Sequence, residues 1–185
     1  MTDQPPERPH VGIRFSAAEI ATRVDEMATD LAAKLPADTL VVSVLKGSFV
    51  FAADLIRSLS RTGADWSMDF LTLSSYGKRT STSGNVQIVR DIVDDVRGRD
   101  VLLVDDILES GLTLSFAKNL LKERGAHRVW ICTLLDKPHK RRTQLEADFT
   151  GFVAGDEFLV GYGLDWAHRF RGLPYIGVVE KATAE

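Results

Sequence analysis

The feature that most constrains the fold is a continuous apolar run, residues 101–104, which leads through a polar turn into a helix. Four consecutive apolar residues leave no face for water, so such a strand is covered on both sides. Beyond the turn, apolar residues recur at helical spacing from Phe116 to Leu121, and Gly125 marks a helix end. A buried strand followed by a helix is the unit from which parallel sheets are built.

The same pattern occurs elsewhere in the chain. Residues 39–45 and a run beginning at Val129 are also nearly continuous apolar segments. Helical spacing follows the first of these runs, and it also fills the segment from Ser16, a capping position paired with Glu19, to Pro36. We therefore predict an α/β fold with a mainly parallel, twisted sheet and helices on both faces. Such sheets bind ligands at the carboxyl ends of their strands.

Two segments depart from this pattern. Residues 74–85 are polar, with Tyr76 as the single large apolar side chain, and alternation resumes at Val86. This predicts a long hairpin with a mobile tip. From Asp148 onward, short apolar pieces are separated by glycines, which predicts a small cap beside the sheet.

Composition limits the function classes. The chain has 185 residues, 44% of them hydrophobic, which predicts one domain over residues 1–185 with a disordered segment at 1–10. A net charge of -3 gives no overall basic surface for nucleic acid or anionic lipid. There is no signal peptide or membrane span in the pattern, so we expect a cytoplasmic protein without a membrane partner. The single cysteine, Cys132, lies in an apolar run and is expected to be a core thiol.

The turn after residues 101–104 carries the chemistry. Backbone N–H groups at a helix start, together with the Ser110 and Thr113 hydroxyls, suit a phosphate monoester, and Gly111 allows close approach. The carboxylates of Asp105 and Asp106 suit ribose hydroxyls and a hydrated Mg²⁺. A sugar phosphate meets both demands. The alternative from local composition is a solvated acidic turn that caps an ordinary helix.

This stretch resembles the signature of the type I phosphoribosyltransferases: an apolar strand, two acids, two apolar residues, an acid, Ser or Thr, Gly, any residue and Thr. From about Leu40 to Val179 the chain is most similar to bacterial hypoxanthine and hypoxanthine-guanine phosphoribosyltransferases. The resemblance implies the type I phosphoribosyltransferase fold, with a small hood and a flexible hairpin loop. It also implies Mg²⁺ as cofactor. It also implies ribose and metal contacts for Asp105 and Asp106. The implied 5'-phosphate loop consists of Glu109, Ser110, Gly111, Leu112 and Thr113.

Glu109 is a departure, because the resembling family usually has Asp at this position, facing the imidazole edge of the base. Glutamate is one methylene longer, which moves the carboxyl group by up to about 1.5 Å. A changed rotamer would absorb this shift, or proton transfer would weaken. Our hypothesis is that Glu109 is catalytic and handles the proton of the base.

The resemblance extends to the pyrophosphate side of the site. Lys46 and Gly47 match a loop in which a strained peptide before the lysine presents backbone donors. Ser75 and Tyr76, at the hairpin tip, match a loop that closes over the reaction centre and contacts pyrophosphate. Arg171 matches a pyrophosphate contact. Read locally, each of these is an ordinary surface residue.

The remaining matches concern the base. Lys137 matches a lysine that donates to the purine 6-oxo group, which favours hypoxanthine or guanine over adenine. Phe158 matches a ring that stacks on the purine, and Leu159 belongs to the same purine-binding segment. Asp165, in that segment, matches the ligand of a second Mg²⁺ carried by pyrophosphate. Trp166 stands where similar chains often have Tyr.

The predicted function is purine salvage. The substrates would be phosphoribosyl pyrophosphate and a 6-oxopurine, without a nucleic-acid partner, in a homodimer or homotetramer. Two alternatives remain from the sequence: a regulator that senses phosphoribosyl pyrophosphate and binds nucleic acid, and a transferase that prefers xanthine. The basic block at residues 139–142 is small for the first alternative, and nothing in the sequence ranks the 6-oxopurines.

Overall fold

The computed structural model describes residues 9–76 and 85–179, and for Ser75, Tyr76 and Asn85 it describes the backbone only. In chain order the strands are β1 (Val11–Phe15), β2 (Leu40–Leu45), β3 (Met68–Tyr76), β4 (Asn85–Arg90), β5 (Asp100–Leu108), β6 (Arg128–Asp136), β7 (Phe149–Val153), β8 (Leu159–Val160) and β9 (Ile176–Val179). The helices are α1 (Ala17–Lys34), α2 (Phe49–Arg61) and α3 (Leu112–Glu123).

The centre of the molecule is a six-stranded sheet with the spatial order β4-β3-β2-β5-β6-β7. All neighbouring pairs are parallel except β3 and β4, which form the predicted antiparallel hairpin. The continuous apolar runs became the inner strands β2, β5 and β6, because only a strand covered on both faces buries every side chain. The predicted fold class is confirmed.

Helices cover both faces of this sheet. Leu102 and Val104 of β5 share a core with α1 and α2, whereas Val101 and Leu103 point to the other face and share a core with α3. Helix α1 begins with the predicted capping box, in which Ser16 Oγ accepts from the backbone N–H of Glu19 at 3.3 Å. Cys132 is fully buried, and this burial raises the pKa of its thiol well above the usual value.

The segment from Asp148 onward is divided between two sheets, whereas the sequence predicted a single small cap. Strand β7 extends the main sheet, while β8 and β9 form a separate antiparallel sheet with β1. The partners in the small sheet are remote in sequence, as in the pairing of Val11 with Val179, so no local pattern indicates it. We call this three-stranded sheet the hood.

The hairpin tip, residues 77–84, lies outside the described residues, as do residues 1–8 at the start of the chain. The prediction of a mobile tip and a disordered start therefore stays a prediction. Within the described segments, no helix combines the length and apolar character needed to cross a membrane.

Candidate active site

The sequence-predicted site residues gather at the carboxyl ends of β2, β5 and β6. These three strands are parallel neighbours, so the segments that follow them, residues 46–48, 109–113 and 137–143, meet at one edge of the sheet. The connection between β8 and β9, residues 161–175, is called the hood turn, and it lies over this edge because its Gly163 approaches Gly47. Two adjacent cavities open here, of about 280 and 250 Å³.

The acid pair lies inside β5, which continues to Leu108. Asp105 and Asp106 are only 8% and 9% exposed. The backbone N–H of Asp106 donates to Asp105 Oδ1, and that of Ile107 donates to Asp106 Oδ1, both at 3.0 Å. Burial and then the neighbouring Asp106 charge raise the pKa of Asp105, and burial raises that of Asp106. Two adjacent, buried carboxylates are stabilised when a cation or hydroxyl donors lie beside them.

The smaller cavity lies at the N-terminus of α3. It is lined by the segment from Asp105 to Leu114 apart from Leu112, whose side chain is partly exposed. Gly111, with φ of +80°, caps the helix, and a Cβ there would come within 2.3 Å of Thr143 Oγ1. Only glycine suits both the conformation and the space. The result is a cradle of backbone N–H groups at the positive end of the helix, which suits an anion.

Arg141 braces this cradle, and sequence analysis did not single it out. Its Nη1 donates to the carbonyl oxygens of Leu108 at 2.9 Å and Glu109 at 2.6 Å, while Nη2 pairs with Asp136. The backbone N–H of Arg142 donates to Ser110 O at 2.9 Å. The only signal in the sequence was the basic block 139–142, which was considered as a nucleic-acid contact. The turn after β6 decides that the Arg141 side chain points to the carbonyl oxygens of Leu108 and Glu109.

The larger cavity contains the predicted base contacts. Lys137, Glu109, Phe158 and Leu159 line it together with Ile107. Lys137 is 2% exposed, and its Nζ lies 2.9 Å from Glu109 Oε1 and donates to the backbone oxygen of Glu157 at 2.8 Å. The Glu109 side chain is 44% exposed, so it has room to move. A buried donor and a half-exposed carboxylate therefore face the same cavity.

Phe158 stands at the mouth of this cavity with 55% of its surface exposed. The segment before it is tied to the turn after β6, since His139 Nε2 lies 2.8 Å from Asp156 Oδ1. The backbone oxygen of Phe158 accepts from Val179 N at 3.2 Å, which ties the backbone at Phe158 to β9 of the hood. An exposed aromatic face next to a polar edge suits a flat heterocycle.

The other wall of the larger cavity is a close contact between backbones. A Cβ on Gly47 would lie 1.8 Å from Asp106 Oδ2, and a Cβ on Gly163 would lie 2.1 Å from Gly47 O. The Leu45–Lys46 peptide bond is cis, at the position where an unusual peptide is predicted. The side chain of Lys46 is exposed, whereas Gly47 lines the cavity.

A hydroxyl pair supports this loop from below. Ser48 Oγ donates to Val44 O at 2.6 Å and lies 2.7 Å from Ser43 Oγ; both serines are fully buried. Because Ser48 has one hydroxyl proton, Ser43 is the donor to Ser48.

Asp165 and Arg171 close the same cavity as a pair. Arg171 Nη2 lies 2.6 Å from Asp165 Oδ1, and its Nη1 donates to Gly163 O at 2.6 Å. The other oxygen of Asp165 accepts from His168 N at 2.7 Å. Both side chains are thus held before any ligand binds. The side chains of Ser75 and Tyr76 lie outside the described residues.

Carboxylates at this edge of the sheet suit a magnesium ion that has further ligands of its own. Within the segments that the structure describes, no three acidic, histidine or cysteine side chains are grouped to hold a metal alone. Asp106 and Asp165 nevertheless line one cavity, and carboxylate oxygens are the donors that Mg²⁺ prefers. Mg²⁺ commonly keeps several waters and binds through one or two carboxylates and substrate phosphates.

Comparisons with known proteins agree with this geometry. Residues 16–166 match the phosphoribosyl transferase domain. The hypoxanthine-guanine phosphoribosyltransferase of Bacillus subtilis is 45% identical over 175 residues, covering 94% of this chain and 95% of the relative. The hypoxanthine phosphoribosyltransferase of Escherichia coli is 43% identical over 172 residues, covering 91% and 95%. A crystal structure of a Bacillus anthracis hypoxanthine-guanine phosphoribosyltransferase has a TM-score of 0.87 at 40% identity, covering 94% of this chain and all of the other.

The match over residues 16–166 defines the class, a phosphoribosyltransferase. At this identity and coverage, the chain belongs to the hypoxanthine and hypoxanthine-guanine phosphoribosyltransferase family.

Proposed function

We propose that this protein transfers the 5-phosphoribosyl group from phosphoribosyl pyrophosphate to hypoxanthine or guanine, forming IMP or GMP and releasing pyrophosphate. One observation carries the proposal: the two cavities share Asp106, Ile107 and Glu109 as a common wall. A phosphate held at the start of α3 and a base held beside Lys137 would therefore place the ribose at the acid pair.

The base is recognised by charge and shape. The Lys137 ammonium group is a donor without acceptor capacity, so it favours the 6-oxo group and opposes the amino group of adenine. Phe158 provides the stacking face. When the base enters, Glu109 exchanges its contact with Lys137 for the imidazole edge and accepts the proton that the base loses.

The sugar and its leaving group are held by fixed dipoles and charges. The N–H groups of residues 109–113 bind the 5'-phosphate, and the acid pair accepts from the ribose hydroxyls. The bond between a ring nitrogen and the anomeric carbon forms as the bond from that carbon to pyrophosphate breaks, and the electron pair leaves with pyrophosphate. The backbone N–H of Gly47 and the guanidinium group of Arg171 would hold the leaving pyrophosphate, and a magnesium ion held through Asp165 would supply further charge neutralisation. Ser75 and Tyr76 would complete this side when the hairpin closes, excluding water from the reaction centre.

The wider setting is inferred with the function. We infer a cytoplasmic enzyme of one domain, acting in purine salvage with Mg²⁺ and assembled as a homodimer or homotetramer. A nucleic-acid partner is not proposed, because the net charge is -3 and Arg141 of the basic block donates to the phosphate loop.

The test is pyrophosphate release by purified protein with Mg²⁺ and phosphoribosyl pyrophosphate, comparing hypoxanthine, guanine, xanthine, adenine and no base. Turnover with hypoxanthine or guanine, and none with adenine, is expected. Preference for xanthine would identify the alternative transferase. Tight binding of phosphoribosyl pyrophosphate without turnover, together with a salt-sensitive nucleic-acid shift, would replace the proposal by the regulatory function.

A matched pair of variants tests the base contact. Lys137→Met removes the buried donor and should lower kcat/KM for hypoxanthine by about ten- to hundredfold, because one charged hydrogen bond is lost. Lys140→Met is the control, since Lys140 Nζ lies 3.8 Å from the same Glu109 oxygen but is partly exposed. Equal effects of the two variants would contradict the role of Lys137.

A further inference from the structure

A hydrogen bond outside the substrate cavities joins the two halves of the predicted pyrophosphate subsite. Tyr162, in the hood turn, donates its hydroxyl to Asp54 Oδ2 on α2 at 2.5 Å. Helix α2 begins directly after residues 46–48, and the hood turn leads to Asp165 and Arg171. The bond therefore spans the two elements that carry the pyrophosphate contacts.

The backbone conformation and hydrogen bonds of the turn hold Tyr162 in place. Its φ is +50°, a left-handed conformation that is uncommon for a residue other than glycine. Its backbone N–H donates to Leu173 O at 2.9 Å, and the next N–H, of Gly163, donates to Arg171 O at 3.0 Å. The side chain is 6% exposed, and burial, followed by the bond to Asp54, raises the pKa of its hydroxyl. The phenol thus remains a donor at neutral pH.

Tyr162 belongs to the same hydrophobic core as Phe51 and Leu55 of α2, and its hydroxyl adds a directional contact to this packing. A cavity of about 460 Å³ lies between α1, α2 and the hood, and both Asp54 and Tyr162 line it. Arg171 lines this cavity and also the substrate cavity, so it stands in the shared wall. The separation of α2 and the hood turn is set by core packing together with two directional contacts, the bond to Asp54 and the backbone approach of Gly163 to Gly47.

We propose that the Tyr162–Asp54 hydrogen bond is a positioning device that holds Arg171 and Asp165 at a fixed separation from the Lys46–Gly47 loop, and so prepares the pyrophosphate subsite. This inference rests on the proposed function. The base contacts are held differently, since Lys137 follows β6 and Phe158 is anchored through Val179. Loss of the bond should therefore weaken pyrophosphate binding without weakening base binding.

The experiment compares wild type with Tyr162→Phe, which removes the hydroxyl alone. The KM for phosphoribosyl pyrophosphate and the inhibition constant of product pyrophosphate should both rise by roughly three- to tenfold, the effect of one hydrogen bond. The KM for hypoxanthine should stay within about twofold, a size below that of one lost hydrogen bond. A merely structural role would lower the melting temperature or change both KM values together. Either result, without a selective rise in the KM for phosphoribosyl pyrophosphate, would overturn the inference.

Variants of Asp54 and of its neighbour Arg57 extend the test. Asp54 also pairs with Arg57, so Arg57→Ala is the control that removes the ion pair alone and should leave both KM values unchanged. Asp54→Asn keeps an oxygen acceptor and should retain the wild-type KM, whereas Asp54→Ala should reproduce the effect of Tyr162→Phe. The double variant Tyr162→Phe/Asp54→Ala should be no worse than Asp54→Ala. Additive effects would overturn the inference.

The activity of the wild type distinguishes a failure of the proposed function from a failure of this inference alone. An inactive wild type would overturn the proposed function and this inference together. An active wild type whose Tyr162→Phe variant keeps its KM for phosphoribosyl pyrophosphate would overturn this inference alone.

Discussion

Lys137 and Glu109 meet in the substrate cavity, with 2.9 Å between Nζ and Oε1. The lysine is buried and also donates to a backbone oxygen, whereas the glutamate is half exposed. In this arrangement the two groups assigned to opposite edges of the base satisfy each other before the base arrives. Binding of a purine then exchanges one polar contact for others, so the buried lysine never loses all of its partners.

The first prediction concerns the carboxylate of this pair. Glu109→Gln should lower kcat by about a hundredfold or more, because an amide cannot accept the proton of the base. The measurement is kcat for hypoxanthine against pH. Glu109→Asp is the matched control, since it keeps the carboxylate and should retain more activity than Glu109→Gln. A glutamine variant with wild-type kcat at every pH would contradict the assignment.

The second prediction uses the space around Gly47. Gly47→Ala should lower kcat/KM by at least about tenfold, because its Cβ would lie 1.8 Å from Asp106 Oδ2 and push the carboxylate from its place. Gly172→Ala is the control, as a Cβ there meets no atom within 4 Å. Both variants are measured by initial rates and thermal unfolding. If the two behave alike, the close approach of Gly47 to Asp106 has no functional importance.

The third prediction concerns Arg141. Arg141→Ala should raise the KM for phosphoribosyl pyrophosphate by about tenfold, since the carbonyl oxygens of Leu108 and Glu109 lose their shared donor and the phosphate cradle loosens. Arg142→Ala should have little effect, because that side chain is exposed and its backbone bond to Ser110 remains. Steady-state kinetics distinguish the two. A larger effect at Arg142 would favour a direct charge contact with the substrate.

The fourth prediction concerns stability and pH. Asp69, 9% exposed, accepts from the backbone N–H groups of Phe70, Val93 and Asp94 at 2.7, 2.5 and 3.0 Å. Burial raises the pKa of this carboxyl group, but the three bonds outweigh it, and the net pKa is lowered. Its stabilisation is therefore fully present above the unfolded-state pKa of about 3.9 and is lost as pH falls through the lower folded-state value.

Asp69→Asn should accordingly lower the free energy of unfolding by about 1–3 kcal/mol at pH 7, with the difference shrinking as pH falls below the unfolded-state pKa of about 3.9. Urea unfolding at several pH values measures it. Asp65→Asn, at an exposed position in the preceding loop, should stay within about 0.5 kcal/mol of wild type. A constant difference for Asp69→Asn across the pH range would show that the ionised carboxylate is not responsible.

Much of the architecture was predictable because its signals are local. The apolar runs at 39–45 and 101–104 predicted buried strands, and the box at Ser16 and Glu19 predicted the start of α1. The glycine-separated apolar pieces after Asp148 predicted a small cap, but not that β1 belongs to it. Its strand β1 pairs with β9, at the opposite end of the described chain, and a short strand has no periodicity that specifies so remote a partner.

The candidate site was predicted in part. The sequence indicated the acids, the phosphate loop, Lys137 and Phe158, and the structure brings these to one edge of the sheet. Their roles stay predictions until the variants are measured. Arg141 was missed because a basic residue in a polar segment is usually solvated, and only the turn after β6 directs it to the carbonyl oxygens of the phosphate loop.

The sequence by itself determined the main helices and the buried inner strands, and placed the acids near the carboxyl end of one such strand with the glycine turn after it. Those properties depend on side-chain period, capping and turn chemistry within a few residues. Only the tertiary structure decided that Lys137 meets Glu109, that Gly163 rests on Gly47, and that Tyr162 bonds to Asp54 across 108 positions of sequence. Such contacts depend on how separate elements pack, and no local pattern encodes that distance or direction.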